Sequence, residues 1–324
     1  MKYNKNINLR FEGSTVRPGE NAVVKANIAR LASGTAIELP IYIFRSPNPG
    51  PVVLLSGGLH GDETNGIEVV RRLLERKSFQ KLQRGSVVAV PVMNVFGFLN
   101  FSREVPDGKD INRSFPGNAS GSLASRVAHF LTKHVLRQID FGVDFHTGGA
   151  SRYNYPQIRY AASDKNARPL ADAFGAPLVL NSPLINRTLR KQAYSQGKTI
   201  LVFEGGESLR NEETVIEEGM NGALRLLHSF NMIKSAPVQT IPKVECSKNY
   251  WIRAKRSGIY NSVLKSGEFV TKGDILGVIT DPFGEFKVNV RAQKPGFILG
   301  HNNMPVVNQG DALLHLGHID VQEA

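Results

Sequence analysis

Short apolar runs alternate with amphipathic segments over residues 51–232, and this alternation limits the possible folds more than any other feature of the chain. Four of the apolar runs predict strands buried on both faces, because no polar alternation interrupts them. These runs are residues 51–58, 86–94, 141–146 and 198–204. The remaining segments have apolar residues at helical spacing. They are residues 64–77, 122–138 and 212–232. Strands that alternate with helices predict an α/β fold with a largely parallel sheet covered by helices on both faces.

The pattern changes near residues 235–242. Beyond this point turn-forming sequences such as Lys265-Ser-Gly, Lys272-Gly-Asp and Lys294-Pro-Gly recur, with short β-rich runs between them. Such spacing is typical of an all-β module. We therefore predict two domains, a larger one over 1–238 and a small β-rich, barrel-like one over 239–324.

The charge and the apolar content of the chain limit which classes of partner it can have. The net charge is +12, but no run of five or six basic residues is present, so small carboxylate-bearing molecules are better candidates than nucleic acid. No apolar run approaches the ~18 residues of a membrane span, and the first residues show no signal-peptide pattern. Cys246 is the only cysteine, which excludes an intramolecular disulfide. We expect a cytoplasmic protein without a membrane partner.

Candidate metal ligands follow two of the predicted strands. His60 and Glu63 lie in a glycine-rich turn after the first strand, and His146 ends a later one. Two histidines and one carboxylate leave an open position on zinc, as catalytic zinc sites require. Asp144 stands two residues before His146 and is a candidate to orient its ring. The alternatives are a solvent-facing turn in which Asp62 caps the next helix, and an ordinary polar strand end.

Glu204 ends the last predicted strand of the larger domain. A carboxylate at the end of a buried strand has few structural reasons to be there, whereas beside a zinc ion it can act as general base. Glu207 is the alternative base; Glu204 is preferred because it is nearest to the strand end.

A loop with two arginines is the candidate substrate-binding segment. Arg113 can bind a carboxylate through two parallel hydrogen bonds, and the amide of Asn112 can add a donor. Arg103, upstream in the same loop, is a candidate to polarise a scissile carbonyl and stabilise its oxyanion. For each arginine the alternative is a solvated loop charge.

Four motifs in this order resemble those of the succinylglutamate desuccinylase/aspartoacylase branch of the zinc carboxypeptidase-like hydrolases. They are GGLHGDE (57–63), DINRSFPG (110–117), DFHTGG (144–149) and FEGGE (203–207). The resemblance implies a carboxypeptidase-like mixed sheet and a Zn²⁺ ion held by His60, Glu63 and His146. It implies Glu204 as general base, Asn112 and Arg113 as ligands of the substrate carboxylate, and Arg103 as the carbonyl-polarising residue. The C-terminal module resembles the β-barrel region of the same family.

The expected activity is zinc-dependent hydrolysis of the amide bond of an N-acyl amino acid or a similar small acyl amide. A metallocarboxypeptidase acting on a peptide C-terminus and a non-catalytic zinc-binding scaffold are the alternatives. The family's substrate-contacting tyrosine could be Tyr153, Tyr155 or Tyr194, and the sequence does not choose among them. The oligomeric state, including a homo-oligomer, is left open.

Overall fold

The computed structural model describes residues 7–30 and 33–319, so the predicted domain limits at Met1 and Ala324 lie outside the described residues. The strands of the first two thirds of the chain are β1 (Leu9–Phe11), β2 (Ser14–Val16), β3 (Ala22–Arg30), β4 (Ala36–Arg45), β5 (Val52–Gly57), β6 (Ser86–Val90), β7 (Phe141–Gly148), β8 (Arg152–Tyr160), β9 (Leu178–Asn181) and β10 (Thr199–Glu207). The helices are α1 (Thr64–Glu75), α2 (Val95–Leu99), α3 (Leu123–Phe130), α4 (Ala167–Phe174), α5 (Leu189–Ser195) and α6 (Glu213–Ser229). A 3₁₀ helix spans Ile111–Arg113 and a π-helical turn spans Leu131–Val135.

After α6 all described elements are strands. They are β11 (Val244–Cys246), β12 (Lys248–Arg253), β13 (Gly258–Ser262), β14 (Phe269–Val270), β15 (Ile275–Thr280), β16 (Lys287–Arg291), β17 (Gly296–Asn302), β18 (Val306–Val307) and β19 (Ala312–His318).

One large mixed sheet crosses the molecule, in the order β12-β19-β17-β8-β10-β7-β5-β6-β4-β3. Its centre, from β6 through β5 and β7 to β10, is parallel. Both flanks are antiparallel, because β4 pairs with β6 on one side and β8 pairs with β10 on the other. The predicted parallel arrangement therefore describes the centre of the sheet, and the sheet as a whole is mixed.

The central strand β5 buries its side chains on both faces, as its apolar sequence predicts. Val52 and Leu54 pack into the core that contains residues of α3 and α5. Val53 and Leu55 face the core that contains residues of α1, α4 and α6. Helices thus cover both faces of the sheet, and none of those in the described chain is long and apolar enough to cross a membrane.

Some predicted elements end earlier than expected, and some elements of the structure were not predicted. Strand β6 ends at Val90 because Pro91, which lacks an N–H group, follows it. The predicted helix over 122–138 is α-helical only to Phe130 and continues as the π-helical turn. The segment 147–197, whose sequence shows no clear periodicity, contains β8, α4, β9 and α5.

The C-terminal strands are joined to the rest of the molecule by strand pairing. Strand β17 pairs with β8, and β11 pairs with β9. Four others form a separate sheet in the order β16-β15-β13-β18. The core beneath them contains Ile252, Tyr260 and Leu276. The boundary at residues 238 and 239 remains a prediction, since the large sheet extends across it.

Candidate active site

The predicted site residues lie at the carboxyl ends of adjacent central strands. Strands β10, β7 and β5 are neighbours, and Glu204 on β10 is the register partner of His146 on β7. His60 and Glu63 occupy the turn between β5 and α1. The carboxyl ends of parallel strands open into one crevice, which is where α/β proteins place their ligands. The order of elements therefore brings these four side chains together.

A close backbone contact shapes the turn that carries His60 and Glu63. A Cβ atom on Gly61 would lie 1.9 Å from the backbone carbon of Gly97 in the middle of α2. Only glycine lets the two backbones approach in this way. This glycine lies between the two candidate ligands, so its absence of a side chain helps to fix where both of them point.

His60, Glu63 and His146 form a compact buried cluster. Oε1 of Glu63 lies 2.8 Å from Nδ1 of His60, and Oε2 of Glu63 lies 2.7 Å from Nδ1 of His146. The two Nδ1 atoms are 3.2 Å apart. One donor atom from each residue lies within 4.8 Å of the others. These atoms are suited to hold one cation between them.

The outward-facing ring nitrogens lie beside two further carboxylates. Nε2 of His146 donates to Oδ2 of Asp144 at 2.7 Å, and Ser56 donates to the other oxygen of Asp144 at 2.9 Å. Nε2 of His60 lies 3.4 Å from Oδ1 of Asp110. A carboxylate at Nε2 favours a proton there, which leaves the lone pair of Nδ1 directed into the cluster.

The cluster needs a positive charge at its centre. Burial raises the pKa of Glu63, but the two histidines together hold this pKa well below its ordinary value. Burial lowers the pKa of His146, whereas Asp144 and Glu63 outweigh burial and raise it well above the ordinary value. Without a metal, a proton supplies the charge that neutralises Glu63. A divalent cation can supply the same charge, so the donor set fits a metal ion such as zinc.

Arg103 reaches the same cluster from the loop after α2. Its Nη1 lies 3.4 Å from Oε1 of Glu63, while Nε and Nη2 donate to Oδ2 of Asp110 at 3.1 and 2.9 Å. The two bonds to Asp110 fix the orientation of the guanidinium. Arg103 therefore lies at the edge of the candidate metal site, where it can meet a substrate carbonyl.

Glu204 faces the pocket, and Glu207 does not. Asn154 donates to Oε2 of Glu204 at 2.9 Å, and Nη1 of Arg159 lies 3.3 Å from Oε1. These two donors orient the carboxylate of Glu204. Glu207 instead accepts a hydrogen bond from Asn303 at 2.6 Å and is absent from the pocket lining. The geometry favours Glu204 over Glu207 as the residue available for catalysis.

The cluster opens into a pocket of about 260 Å³. Asn112 and Arg113 both line it, and Oδ1 of Asn112 accepts a hydrogen bond from the backbone N–H of Leu189 at 2.9 Å. That bond fixes which end of the amide is the donor. All seven residues selected from the sequence line this pocket. They are His60, Glu63, Arg103, Asn112, Arg113, His146 and Glu204.

Other residues of the pocket wall were not selected from the sequence. They include Arg152, Asn154, Arg159, Arg190 and Trp251. Arg152 comes shortly after the DFHTGG motif, and this position was the one local signal that it could belong to the site. None of the three candidate tyrosines lines the pocket. The ring of Tyr153 stacks on His301, and the hydroxyl of Tyr194 donates to the backbone oxygen of Ser163.

Comparisons with known proteins show which proteins the chain resembles. The sequence profile of the succinylglutamate desuccinylase/aspartoacylase catalytic domain matches residues 49–230. The chain is 28% identical to the N-alpha-acetyl-L-2,4-diaminobutyric acid deacetylase of Halomonas elongata, over 88% of this chain and 86% of the relative. A succinylglutamate desuccinylase/aspartoacylase structure from Rhodobacter sphaeroides is 26% identical, with a TM-score of 0.82 over 97% of this chain and 99% of that one. A product-bound ectoine utilization protein from Ruegeria pomeroyi is 23% identical, with a TM-score of 0.81 over 93% and 96% of the two chains, and it shows the fold alone.

Proposed function

Because the chain belongs to the succinylglutamate desuccinylase/aspartoacylase family, we propose that it is a zinc-dependent hydrolase that cleaves the amide bond of an N-acyl amino acid or a similar small acyl amide. The observation that carries the proposal is the convergence of His60, Glu63 and His146 within 4.8 Å, with Glu204 on the adjacent strand. The names of the Halomonas and Rhodobacter relatives, a deacetylase and a desuccinylase/aspartoacylase, support the same reaction class.

His60, Glu63 and His146 would hold the metal. A zinc ion bound there would supply Lewis acidity and would lower the pKa of its bound water towards roughly 7. Asp144 holds the outward nitrogen of His146 at 2.7 Å, and Asp110 lies 3.4 Å from that of His60, so both carboxylates favour inward nitrogens that are available to the metal.

Glu204 acts as general base and then as general acid. Its carboxylate takes a proton from the attacking water and returns that proton to the amine nitrogen as the carbon–nitrogen bond breaks. Asn154 and Arg159 keep the carboxylate turned towards the pocket. Proton transfer by a positioned side chain of this kind typically contributes 10²- to 10⁴-fold in rate.

Arginines provide the remaining contacts with the substrate. Arg103 donates to the oxyanion that forms on the carbonyl oxygen when water attacks the acyl carbon, a role for which its position beside Glu63 is suited. Asn112 and Arg113 bind the carboxylate of the amino acid. The Oδ1 atom of Asn112 is occupied by Leu189, so its amide nitrogen is the atom offered to the substrate.

The proposal also covers fold and location. The central strands with the site at their carboxyl ends support a zinc carboxypeptidase-like arrangement, with residues 239–324 as a β-rich accessory domain. A single cysteine supports a cytoplasmic enzyme. Small carboxylate-bearing acyl amides are its partners, with no nucleic acid or membrane required.

Replacement of Glu204 tests the mechanism. The Glu204→Gln variant should keep about one zinc per chain, as a site with intact ligands does, and its kcat should fall about 10²- to 10⁴-fold because the proton acceptor is lost. Metal analysis and steady-state kinetics with N-acyl amino acids measure both quantities. The matched control is Glu207→Gln, which should retain turnover because Glu207 lies outside the pocket lining. Zinc retention with near-normal turnover in Glu204→Gln would remove Glu204 from the mechanism.

A further inference from the structure

Two strands of the C-terminal region each end a sheet and have one free edge. Among the described strands, β12 at the end of the large sheet pairs only with β19, and β16 at the end of the four-stranded sheet pairs only with β15. The free edge of a strand carries a row of N–H and C=O groups that another strand can bind. Each of these two edges can therefore accept a further strand.

A groove of about 190 Å³, which we call the edge groove, lies between these two edges. One wall is formed by Ile252, Arg253 and Lys255 at the end of β12, and the other by residues 288–293 of β16 and the turn after it. Six successive residues line the second wall, although the side chains of a strand alternate between its two faces. Only the edge of a strand presents every residue in this way, so the groove follows the backbone of β16.

The backbone of β16 has hydrogen-bonding groups on the side of the groove. The N–H group of Ala292 donates to the oxygen of Asp274 and its oxygen accepts from Gly273, both at 2.9 Å and both on the side of β15. The backbone groups of successive residues point alternately to the two sides of a strand. Those of Arg291 and Asn289 therefore point away from β15, towards the free edge.

The same alternation holds at the end of β12. The N–H group of Ala254 donates to the oxygen of Asp311 at 2.9 Å, and its oxygen accepts from Gly310 at 2.8 Å, on the side of β19. The backbone groups of Arg253 consequently point away from β19. Both walls of the edge groove thus offer donors and acceptors to a strand that enters it.

The floor of the edge groove is apolar. Ile252, Ile279 and Val290 line it and belong to the buried core between the two C-terminal sheets. A strand in the groove directs every second side chain towards this floor. Apolar residues at these positions would be removed from water on binding, which favours a strand with an apolar residue at every second position.

The rim of the edge groove is basic. Arg253, Lys255 and Arg291 are exposed there, and neither aspartate nor glutamate occurs among the lining residues. Nη1 of Arg253 donates to the backbone oxygen of Gly310 at 2.9 Å, and Nη1 of Arg291 to that of Gly273 at 2.8 Å. No carboxylate of the described residues lies within ion-pair distance of the three basic groups. Their positive charge is therefore available to a partner.

This charge distinguishes between the strands that could enter the edge groove. Lysine and arginine on an edge disfavour pairing with a second copy of the same edge, because like charges then meet. A strand with carboxylates meets the same three side chains favourably, and complementary charge also speeds association. The basic rim therefore argues against a second copy of this chain and for an acidic partner.

We propose that the edge groove binds an extended acidic segment of a partner protein, in which acidic residues alternate with apolar ones. The backbone of the segment pairs with β16, and its apolar side chains lie on Ile252 and Val290. Its carboxylates face Arg253, Lys255 and Arg291. The edge groove shares no lining residue with the candidate active site, so it is independent of the proposed deacylase activity.

Fluorescence anisotropy with labelled, amidated peptides tests the proposal on the full-length protein. A short peptide of alternating glutamate and valine should bind about 10-fold or more tightly than the same peptide with glutamine for glutamate, which lacks the charge. It should exceed by a similar factor the peptide with serine for valine, which lacks the apolar side chains. Equal binding of the acidic peptide and of either control peptide would overturn the proposal.

Variants of the rim locate the bound peptide. Arg291→Gln and Lys255→Gln should each weaken binding about 3-fold, as the loss of a partly exposed ion pair does. Lys265→Gln, which is exposed in the same region but outside the groove, is the matched control and should keep the wild-type affinity. The amide protons of Asn289 and Arg291 should exchange with solvent more slowly when the peptide is bound. Unchanged exchange at both residues would contradict pairing with β16.

Other occupants give different results. Binding that is lost in Arg113→Gln but retained in Arg291→Gln would place the peptide in the candidate active site and overturn the proposal. Analytical ultracentrifugation of the protein alone should show no self-association through this edge. A concentration-dependent dimer that is lost in Arg291→Gln would assign the edge groove to a second copy of the chain instead of an acidic partner.

Discussion

Both histidines of the candidate metal site have a carboxylate near each ring nitrogen. Nδ1 of His146 faces Glu63 and its Nε2 faces Asp144, at 2.7 Å in each case. His60 lies between Glu63, 2.8 Å from its Nδ1, and Asp110, whose carboxylate is 3.4 Å from its Nε2. The carboxylates at Nε2 select the tautomer, and the shared Glu63 provides the third donor. The chemistry of the site thus depends on five side chains, two of which do not face the metal position.

His315 makes stability depend on pH. Burial, with a further contribution from Arg159, lowers the pKa of His315 to about 3. Between pH 6.5 and 3 the unfolded chain binds a proton that the folded chain does not. The free energy of unfolding therefore decreases as the pH falls through this range, by up to about 1.4 kcal/mol per pH unit. His315→Gln should show a shallower decrease than the wild type in urea unfolding at pH 7, 6, 5 and 4.

A control variant separates the titration of His315 from the loss of its ring stacking on Trp251. Trp251→Phe removes the indole that contacts His315 but keeps the histidine, so it should retain the wild-type dependence on pH. Parallel curves for the wild type and His315→Gln would contradict the assignment of this dependence to His315.

The site residues that belong to short motifs could be predicted from the sequence, whereas Trp251 could not. His60 and Glu63 follow the buried strand β5, and His146 and Glu204 lie near the carboxyl ends of β7 and β10, so the convergence of parallel strand ends was sufficient to group them. Trp251 reaches the same pocket only through pairing of strands far apart in the chain. Such pairing leaves no local pattern in the sequence. The roles of these residues in metal binding and catalysis remain proposals.

At the scale of elements, packing determines where glycine is needed. Gly222 on α6 faces the ring of Phe174 at the end of α4, and a Cβ atom there would lie 2.2 Å from that ring. Phe174 is fully buried and packs against Phe203, with ring centroids 5.5 Å apart. The ring has little room to move, so the distance between the two helices depends on this glycine.

Gly222→Ala should therefore destabilise the protein. Alanine is favoured over glycine inside a helix by roughly 0.5–1 kcal/mol, but overpacking of a core typically costs about 1–3 kcal/mol. We expect a net loss of about 1 kcal/mol in the free energy of unfolding, measured by urea denaturation. The neighbouring Asn221→Ala serves as the helical control and should be neutral or slightly stabilising. An increase in stability of Gly222→Ala would contradict the packing argument.

Elements with a strong local period could be predicted, and others could not. The helical spacing over 64–77 corresponds to α1, and the apolar run over 198–204 corresponds to β10. Strands β3 and β4 alternate buried and exposed residues, a pattern that the sequence contains but that was not assigned. Strand β8 has no clean alternation, because it lies between β10 and β17 with irregular register on β10. Its burial depends on partners distant in the sequence.

At the scale of the whole molecule, the C-terminal strands form part of the same sheet as the candidate catalytic residues. Strand β17 continues the sheet beyond β8, and β12 at its edge carries Trp251. The change in composition near residue 235 therefore marks a change in the kind of element, from mixed α/β to all-β. The boundary between residues 238 and 239 was predicted from composition. Composition does not show which strands pair, so it could not reveal that one sheet extends across this boundary.

Zinc content is the measurement that tests the central claim most directly. Elemental analysis of the wild type and of His146→Ala should be combined with hydrolysis of a panel of N-acyl amino acids and peptides. We predict about one zinc per chain in the wild type, and loss of both zinc and activity in the variant, because His146 supplies one of the three donors. A wild-type protein without zinc, even after reconstitution, would contradict the proposed metal site and favour a protein that binds or scaffolds without catalysis.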